Sequence, residues 1–470
     1  MNFKELIETI LKFKKEFDSK SITLNSKIVK KNDIFLAISK DRDKNFQNIL
    51  EAISKGACLI IVEKKITIKN FPSVVYFSNI KNKLSNISNI FYDFPSKNIE
   101  LYGVTGTNGK SSVSSFLHQI LKKNNKKTAL LSSIKSRKKG IFFSGLTTPD
   151  TFFLNDFLSK ANLENYQSAI IEVSSHGIHQ DRVKGLNFNY GCFTNISRDH
   201  LDYHKSMQDY SNVKESFFLN NSFDAALINI DTSLGERIKK IDKNFLSFSS
   251  VKKNADFFFN KKNILFHNND SYDLNFFDGP RFMKLNLAMA ISLAKCTELS
   301  IEPKTIKNFY SPAGRFEKRK TFKGKTCIID YAHSPKALEI VLKSIRSFSS
   351  GNIICIFGCG GERDKGKRPN MGRIAEKFSN KLIITNDNPR LEDPNKIKED
   401  ITKGISKVSK THFIPDRKEA IQFGLKLLKK SKKGSTLLIA GKGHENYQEM
   451  KDKRIYFSDK NAIEEIINVS

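Results

Sequence analysis

The segment 99–121 reads IELYGVTGTNGKSSVSSFLHQIL and joins a β-like run, a glycine-rich loop and a helical pattern. In such a loop, here Thr105–Ser112, backbone N–H groups can close round phosphate oxygens, and the following helix adds the positive end of its dipole. Lys110 can reach the β- and γ-phosphates, and the Ser111 hydroxyl suits Mg²⁺. The general phosphate-loop pattern has glycine where this sequence has Val104, but strand, loop and helix together predict an ATP site.

Outward from this loop, the chain divides into three α/β parts, which we place at residues 1–95, 96–313 and 314–470. Short β-like runs alternate with helical stretches in the small first part, and a larger second part carries the phosphate loop. The last part alternates most regularly, which predicts a parallel, doubly wound sheet. Its predicted strands are Thr326–Asp330, Ile353–Phe357, Leu382–Thr385 and Thr436–Ala440.

Polar, glycine-rich loops follow all four of these strands, and they read YAHSP, GCGGERDKGKRP, NDNPR and GKGHE. Ligands on such sheets bind beyond the carboxyl ends of the strands. The four loops therefore predict a second binding site at one edge of the last sheet.

Composition narrows the class of protein. Lysine plus arginine number 80 against 49 aspartate plus glutamate in 470 residues, a net charge of +31. A polyanion partner such as nucleic acid would suit that charge, but the lysines are spread over the whole chain, so we expect no specific nucleic acid.

No apolar run is long enough to insert into a membrane, and residues 1–17 lack a signal-peptide core. We expect a cytoplasmic protein, and the scattered cysteines fit a reducing compartment.

One lysine lies on an unexpected helix face. Residues 206–221 have a helical pattern whose apolar stripe includes Tyr210, Phe217 and Phe218, and Lys214 falls on the same stripe. Burying an ammonium group is costly without a partner, so periodicity alone favours a snorkelling side chain whose charge reaches water. The functional alternative is a modified or paired lysine beside a metal site.

Carboxylate and imidazole groups are predicted to lie near the phosphate loop. The segment Asn195–His204 (NISRDHLDYH) follows a predicted strand and contains two aspartates and two histidines, and Glu172 stands near the end of another strand. Carboxylate oxygens are ligands that Mg²⁺ prefers. The pattern indicates a metal or substrate site beside the ATP site.

These motifs together resemble the Mur ligase family, the ATP-dependent amide-forming enzymes of peptidoglycan precursor synthesis. The family's T-G-T-N-G-K-[ST] loop accounts for the shifted glycine, and further motifs match in the same order over nearly the whole chain. They are Glu172–Gly177 (EVSSHG), Asn195–His204, Asn286 with its following helix, Gly314-Arg315, Asp330–His333 (DYAH), Asp387–Arg390 (DNPR) and Gly441–Glu445 (GKGHE).

The resemblance implies an α/β fold of three domains: an N-terminal UDP-binding domain, a central P-loop ATPase-like domain and a C-terminal Rossmann-like domain. It implies that ATP activates the D-glutamate γ-carboxylate of UDP-N-acetylmuramoyl-L-alanyl-D-glutamate as an acyl phosphate, which an amino acid then attacks. The DNPR motif implies that the amino acid is meso-diaminopimelate, since members that add lysine usually differ there. Mg²⁺ as cofactor, ATP as substrate and a monomeric enzyme complete the expectation.

The resemblance also assigns site residues. The implied ATP contacts are Gly106, Thr107, Asn108, Gly109, Lys110, Ser111, Ser112, Asn286, Arg315, Asp330 and His333. The implied catalytic residues are Lys110, Glu172, His200 and Lys214, and the implied metal ligands are Ser111, Glu172, His200 and Lys214 as a carbamate (N6-carboxylysine). The implied contacts to the UDP-linked substrate are Leu24, Ser26, Thr147, Thr148, Ser174, Gln180 and Arg182. The implied diaminopimelate pocket comprises Arg363, Asp387, Asn388, Pro389, Arg390, Gly441 and Glu445.

Two departures affect contacts to the UDP-linked substrate. A D-G-H-x-F stretch common in the family reads DKNF at Asp43–Phe46, and Leu146 stands where an asparagine often precedes the two threonines.

A folylpolyglutamate synthase shares the phosphate loop and the acyl-phosphate chemistry, but the DNPR and GKGHE motifs and the α/β first part argue against it. A nucleic-acid-binding ATPase is the alternative from another class, and a non-catalytic binding module is the weakest reading.

Overall fold

The computed structural model describes residues 1–66, 68, 71, 73–134, 139–297, 299, 301–302, 308–407, 411–451 and 453–469. In these ranges, sheets of four, ten and six strands follow one another along the chain, each combined with helices. This arrangement confirms the α/β class. The exact domain boundaries given above stay a prediction. Every helix within the described ranges is too short or too polar to cross a lipid bilayer.

The N-terminal part is a small parallel sheet with helices. Its elements are α1 (Phe3–Glu16), β1 (Ile22–Thr23), β2 (Ile34–Ala37), α2 (Arg42–Ser54), β3 (Leu59–Val62), β4 (Val74–Tyr76) and α3 (Leu84–Phe91). The strand order is β1-β2-β3-β4. Every residue of β2 and β3 is buried, which is typical of parallel strands covered on both faces.

The central part is built on the largest sheet. Its elements are β5 (Glu100–Thr105), α4 (Lys110–Lys123), β6 (Thr128–Ser132), β7 (Ile141–Phe143), α5 (Thr151–Leu163), β8 (Ser168–Val173), α6 (Ser175–His179), β9 (Tyr190–Phe193), α7 (Met207–Leu219), β10 (Ala225–Asn229), α8 (Ser233–Lys239), β11 (Phe245–Ser249), β12 (Phe257–Phe259), β13 (Ile264–His267), β14 (Asp270–Asp273) and α9 (Arg281–Lys295). The strand order is β14-β13-β12-β11-β10-β9-β5-β8-β6-β7. The β12–β13 and β13–β14 pairs are antiparallel, and the other pairs are parallel.

The C-terminal part is the predicted doubly wound sheet. Its elements are β15 (Glu317–Lys320), β16 (Thr326–Asp330), α10 (Pro335–Arg346), β17 (Ile353–Phe357), α11 (Arg368–Phe378), β18 (Lys381–Ile384), α12 (Pro394–Thr402), β19 (Thr411–Phe413), α13 (Arg417–Lys430), β20 (Thr436–Ala440), β21 (Tyr447–Met450), β22 (Lys453–Tyr456) and α14 (Asp459–Val469). The strand order is β15-β16-β20-β17-β18-β19, with only the edge strand β15 antiparallel. The predicted strands are confirmed, with β18 one residue earlier than expected.

Strand order brings the predicted site residues together. Strand β5 lies between β8 and β9, and its last residue, Thr105, is aligned with Val173 and Phe193 at the ends of those strands. Because the carboxyl ends of parallel strands share one edge of a sheet, the phosphate loop, Glu172 and the segment after β9 emerge side by side. In the C-terminal sheet, the four polar loops leave the adjacent strands β16, β20, β17 and β18 in the same way.

Candidate active site

The backbone conformation of the phosphate loop is fixed by contacts with the segment that follows β9. Gly106 has φ of +143°, and a Cβ there would lie 1.9 Å from Thr194 Oγ1, so only glycine fits. The amide N–H of Thr107 donates to the Asn195 carbonyl (2.9 Å), and that of Asn108 donates to Asn195 Oδ1 (3.0 Å). The loop conformation is therefore built into the protein before any nucleotide binds.

Lys110 folds back over this loop. Its Nζ donates to the carbonyls of Gly106 and Thr107, each at 2.9 Å. Burial lowers the pKa of Lys110, against the opposing charges of Glu172 and Asp199. These carbonyls are weak partners for an ammonium group, so a phosphate oxygen can replace them when ATP enters.

Glu172 is a buried carboxylate with one oxygen paired and one free. Ser111 Oγ donates to Glu172 Oε2 (2.7 Å) and accepts from Arg315 Nη2 (3.2 Å). Glu172 is 1% exposed, and its Oε1 is buried and accepts no hydrogen bond from the described residues. Burial raises the pKa of Glu172. A buried polar atom without a partner in a phosphate site marks a place for a ligand.

Mg²⁺ fits this donor set. Within the described residues no three His, Cys, Asp or Glu side chains are grouped so that they could hold a metal ion. Mg²⁺, however, is usually held by one or two carboxylates together with substrate phosphates and waters. The unpaired Glu172 Oε1 and the neighbouring Ser111 hydroxyl are hard oxygen donors of that kind.

Lys214 is buried, and the expectation of a snorkelling side chain is wrong. Phe217 and Phe218 on the same helix are each 1% exposed, as is Lys214, so packing of α7 directs the lysine inward. Its Nζ donates to the Gly106 carbonyl (3.0 Å) and lies 4.9 Å from the Tyr210 ring centroid. Burial and the charge of nearby Lys110 hold the pKa of Lys214 well below its ordinary value.

Asp199 joins the central and C-terminal parts. Its carboxylate lies 3.6 Å from His200 Nε2, 3.5 Å from His333 Nε2 and 3.9 Å from Lys367 Nζ. Burial works to raise the pKa of Asp199, but the hydrogen bond with His333 and the surrounding positive charges hold it well below its usual range. Burial lowers the pKa of His200 to about 3, so its imidazole is neutral near pH 7.

Two further ion pairs cross the same boundary. Arg198 Nε lies 3.3 Å from Asp364 Oδ2, and Arg363 Nη1 lies 3.6 Å from Asp202 Oδ2. The segment after β9 therefore contacts the loop after β17 at several points. Arg363, an implied pocket residue, is directed towards the central part.

Other implied nucleotide contacts surround the loop. A Cβ on Gly109 would lie 2.8 Å from Asn286 Oδ1, which places α9 against the loop. Asp330 accepts from the amide N–H groups of Phe316 (2.7 Å) and Ala332 (2.8 Å). Asp330 therefore fixes the start of the C-terminal part, where Arg315 reaches Ser111.

Four of the implied UDP-substrate residues form one network beside Glu172. Thr148 Oγ1 donates to the Glu172 carbonyl (2.7 Å) and accepts from the Ser174 amide (2.9 Å). Arg182 donates to the Thr148 carbonyl (2.6 Å) and to Gln180 Oε1 (3.0 Å). Thr147 adjoins this network along the chain.

The two implied contacts in the N-terminal part have local partners. Ser26 Oγ donates to Glu51 Oε2 (2.6 Å), and the Ser26 carbonyl accepts from Lys55 Nζ (3.0 Å). Leu24 packs against the N-terminal core. Among the residues that the structure describes, no hydrogen bond connects Ser26 or Leu24 to the network around Thr148.

The loops of the C-terminal sheet pack together through polar contacts at the implied diaminopimelate pocket. Asn388 Nδ2 donates to Glu445 Oε2 (3.1 Å), and Arg390 Nη1 donates to the Gly361 carbonyl (2.8 Å). Close packing fixes the loops, because a Cβ on Gly441 would lie 2.4 Å from Asp387 Oδ2.

Pro389 and Arg390 complete this pocket. A Cβ on Gly361 would lie 1.9 Å from the Pro389 carbonyl oxygen, so the loops after β17 and β18 touch through their backbones. Arg390 has φ of +54°, an uncommon left-handed conformation for arginine, and its Nε pairs with Glu449 Oε2 at 3.0 Å. Such backbone outliers cluster at ligand sites.

Several contacts of the site were not predictable from the sequence. In the segment after β9, Asn195 frames the phosphate loop and Asp199 contacts the C-terminal part, in addition to the predicted His200. Lys442 lies between two implied pocket residues, Asn388 and Glu445. The position of each residue inside a matched motif was the available signal, whereas the contacts depend on the tertiary fold.

Comparison with known proteins agrees with this geometry. The Mur ligase middle domain matches residues 104–291, and the Mur ligase, glutamate ligase domain matches residues 314–443. The UDP-N-acetylmuramoyl-L-alanyl-D-glutamate–2,6-diaminopimelate ligase of Aquifex aeolicus is 37% identical over 462 residues, covering 95% of this chain and 93% of the relative. The enzyme of that name from Clostridium tetani is 35% identical over 486 residues, covering 99% and 98%.

A solved structure of a UDP-N-acetylmuramoyl-L-alanyl-D-glutamate–2,6-diaminopimelate ligase is also similar, with a TM-score of 0.62 and 27% identity over 96% of this chain and 95% of that one. The likeness thus extends through all three sheets as well as the phosphate loop. With sequence identity above a third across almost the full length of its relatives, the chain belongs to the Mur ligase family.

Proposed function

We propose that this chain adds meso-diaminopimelate to the D-glutamate γ-carboxylate of UDP-N-acetylmuramoyl-L-alanyl-D-glutamate, with conversion of ATP to ADP and phosphate. The observation that carries the proposal is the junction of two sites. The phosphate loop and the pocket around Arg390 lie on opposite sides of a boundary that Arg315 and Asp199 cross. Such an arrangement suits a reaction in which an activated carboxylate made at one site is attacked by an amine held at the other.

Lys110 and Arg315 stabilise phosphoryl transfer in this proposal. A γ-carboxylate oxygen of the substrate attacks the γ-phosphorus of ATP, the bond to the β–γ bridging oxygen breaks, and ADP leaves. Negative charge spreads over the transferred phosphoryl group, and preorganised cations aimed at it lower the barrier. Lys110 is held at the loop by two carbonyls, and Arg315 reaches the Ser111 hydroxyl from across the boundary.

Ser111, Glu172, His200 and Lys214 in carbamylated form would hold Mg²⁺. The ion would neutralise charge on the phosphates. Glu172 supplies an unpaired buried oxygen. We infer that Lys214 is carbamylated because its amine is buried without a carboxylate partner and its pKa is lowered, so the neutral amine can add CO₂. The nitrogen would form a bond to the carbon of CO₂ and release one proton, and the resulting carbamate would supply an oxygen ligand.

Amide formation completes the cycle. The amine of the incoming amino acid attacks the carbonyl carbon of the acyl phosphate, the tetrahedral intermediate expels phosphate, and the amine gives up a proton. Arg390 is assigned to the distal carboxylate of diaminopimelate, because a guanidinium group binds a carboxylate in bidentate fashion. Glu445 is assigned to the distal ammonium, and Arg363 to the same pocket.

Recognition of the UDP-linked substrate is assigned to two places. The network of Thr148, Ser174, Gln180 and Arg182 adjoins Glu172 and would meet the dipeptide end. Ser26 and its neighbour Leu24, in the N-terminal part, would meet the uridine. Action as a monomer in the cytoplasm is part of the same proposal.

Parallel product assays test the proposal. Purified protein receives ATP, Mg²⁺ and UDP-N-acetylmuramoyl-L-alanyl-D-glutamate, together with meso-diaminopimelate or L-lysine, and phosphate and tripeptide product are measured. We expect tripeptide with diaminopimelate and little with lysine. Product with lysine alone would retain the ligase and refute the assignment of Arg390, whereas product with neither would refute the proposed reaction.

A further inference from the structure

Lys442 is a buried lysine to which no role has been assigned above. It lies between Gly441 (φ +112°) and Gly443 (φ +54°), two left-handed positions that turn the loop after β20 inward. The side chain of Lys442 is 0% exposed. A buried ammonium group is costly unless it is paired, so its partners show what this position is for.

Both partners of Lys442 belong to the proposed amino-acid pocket. Its Nζ lies 3.0 Å from Asn388 Oδ1 and 3.0 Å from Glu445 Oε2. Asn388 follows β18 and Glu445 follows β20, so one ammonium group connects two loops. Lys442 therefore contacts two side chains that are assigned to the amino-acid pocket.

The ammonium group also determines how the Asn388 amide is turned. An ammonium group can only donate hydrogen bonds, so Oδ1 must face Lys442, and it accepts from the Glu449 amide as well (3.0 Å). The amide nitrogen is then directed to Glu445 Oε2, at 3.1 Å. Lys442 and the Glu449 amide are thus the two donors that hold Oδ1 in this orientation, and removal of Lys442 leaves only one of them.

Glu445 is consequently held by three donors. Asn388 and Lys442 contact Oε2, and the Tyr331 hydroxyl donates to Oε1 at 3.2 Å. A carboxylate has about four acceptor positions, so these contacts leave one direction for a ligand cation. This arrangement preorganises the carboxylate, which reduces the ordering needed when a ligand binds.

We propose that Lys442 is a positioning residue for the amino-acid substrate: it fixes the Asn388 amide and the Glu445 carboxylate so that Glu445 meets the distal ammonium group of the incoming diamino acid. This inference rests on the proposed function. It adds a residue that acts through Glu445 and takes no part in phosphoryl transfer.

The substitution Lys442→Met tests the inference, because it keeps a long apolar side chain and removes the charge. Breaking a buried charge pair is expected to raise the KM for diaminopimelate at least about tenfold, while the KM values for ATP and for the UDP-linked substrate stay unchanged. Lys453→Met, which removes an exposed lysine of the neighbouring hairpin, is the matched control and should behave as wild type. Equal rises in all three KM values would overturn the proposal.

A double-mutant cycle separates positioning from general damage. If Lys442 acts through Glu445, adding Lys442→Met to Glu445→Gln should raise the KM for diaminopimelate little further. Multiplicative effects of the two changes would overturn the proposal. If Lys442→Met alone does not fold, Glu445→Gln is compared with the double variant that combines Lys442→Met and Glu445→Gln, in which both charges are removed. This comparison gives the same test. Wild-type tripeptide formation in the same assay reports on the proposed function separately.

Discussion

The nucleotide site and the amino-acid pocket each contain a lysine that is at most 1% exposed, Lys214 and Lys442, and the two lysines have opposite surroundings. Lys214 has a backbone carbonyl at 3.0 Å and an aromatic ring as neighbours, and burial and the charge of nearby Lys110 hold its pKa well below the ordinary value. Lys442 has a carboxylate and an amide oxygen, each at 3.0 Å. Both side chains are at most 1% exposed, so burial alone does not distinguish them.

The difference lies in the partner, and the partner decides the chemistry. A buried ammonium group beside a carboxylate is stabilised as a cation and can hold other groups in place. A buried lysine without one is favoured in its neutral form, which is a nucleophile. This difference is the basis for proposing modification of Lys214 and a positioning role for Lys442.

Removing Lys214 should give the largest effect. Lys214→Met deletes the proposed carbamate ligand, and we expect kcat to fall about 100- to 1,000-fold, as for loss of one preorganised group at a site of developing charge. In the absence of ligands and of CO₂, the variant should unfold at or above the wild-type temperature, because a buried amine without a carboxylate partner is replaced by an apolar side chain. A strongly reduced unfolding temperature would show that Lys214 is stabilising and would end the contrast with Lys442.

The proposed modification can be observed directly. Wild-type protein equilibrated with isotope-labelled bicarbonate should show a carbamate carbon signal by NMR, and Lys214→Met should lack it. Lys442→Met should retain the signal, because Lys214 is unchanged in that variant. A wild-type spectrum without a carbamate signal would refute the modification while leaving the pocket assignments intact.

Replacing Arg390 should give the next largest effect, confined to the pocket. Arg390→Ala removes the proposed partner of the distal carboxylate, and a lost charge-assisted contact of this kind predicts a rise of about 30-fold or more in the KM for diaminopimelate. The KM for ATP should not change, and preference over L-lysine should fall. Arg454→Ala is the matched control, because Arg454 also pairs with Glu449 but its side chain is 62% exposed. Similar losses in the two variants would assign the effect to Glu449 instead.

The contrast between the two lysines also shows how far sequence reasoning reaches. The strand, loop and helix around Lys110 were predictable because a phosphate loop is a local structure, and the strands of the C-terminal sheet followed from their apolar runs. Periodicity placed Lys214 on the inward stripe of its helix, yet it favoured a snorkelling side chain whose ammonium group reaches water. A helical pattern carries no information about what covers the stripe. In the folded protein the Lys214 side chain is 1% exposed, so its amine does not reach water.

Lys442 lay beyond sequence reasoning for a related reason. Its motif was matched to the family. Of its two partners, however, only Glu445 lies in the same loop, three residues away, whereas Asn388 lies 54 residues away in the chain. Only the parallel order of β18, β17 and β20 brings those loops to one edge. The cross-boundary contacts of Asp199 likewise depend on how two sheets pack together.

Contacts between the two regions should give the smallest effect and should act on both. Arg198 pairs with Asp364 at 3.3 Å across the boundary, and its side chain is 50% exposed. The Asp364 side chain is only 8% exposed, so the pair is placed at the upper end of the range of about 0.2–1 kcal/mol for exposed pairs, and Arg198→Ala should reduce kcat/KM about fivefold. Because this pair lies between the two sites rather than within one, kcat/KM for ATP and for diaminopimelate should fall by the same factor. Lys184→Ala, which breaks an exposed pair within the central part, should change neither value, and a fall for diaminopimelate alone would place Arg198 in the pocket.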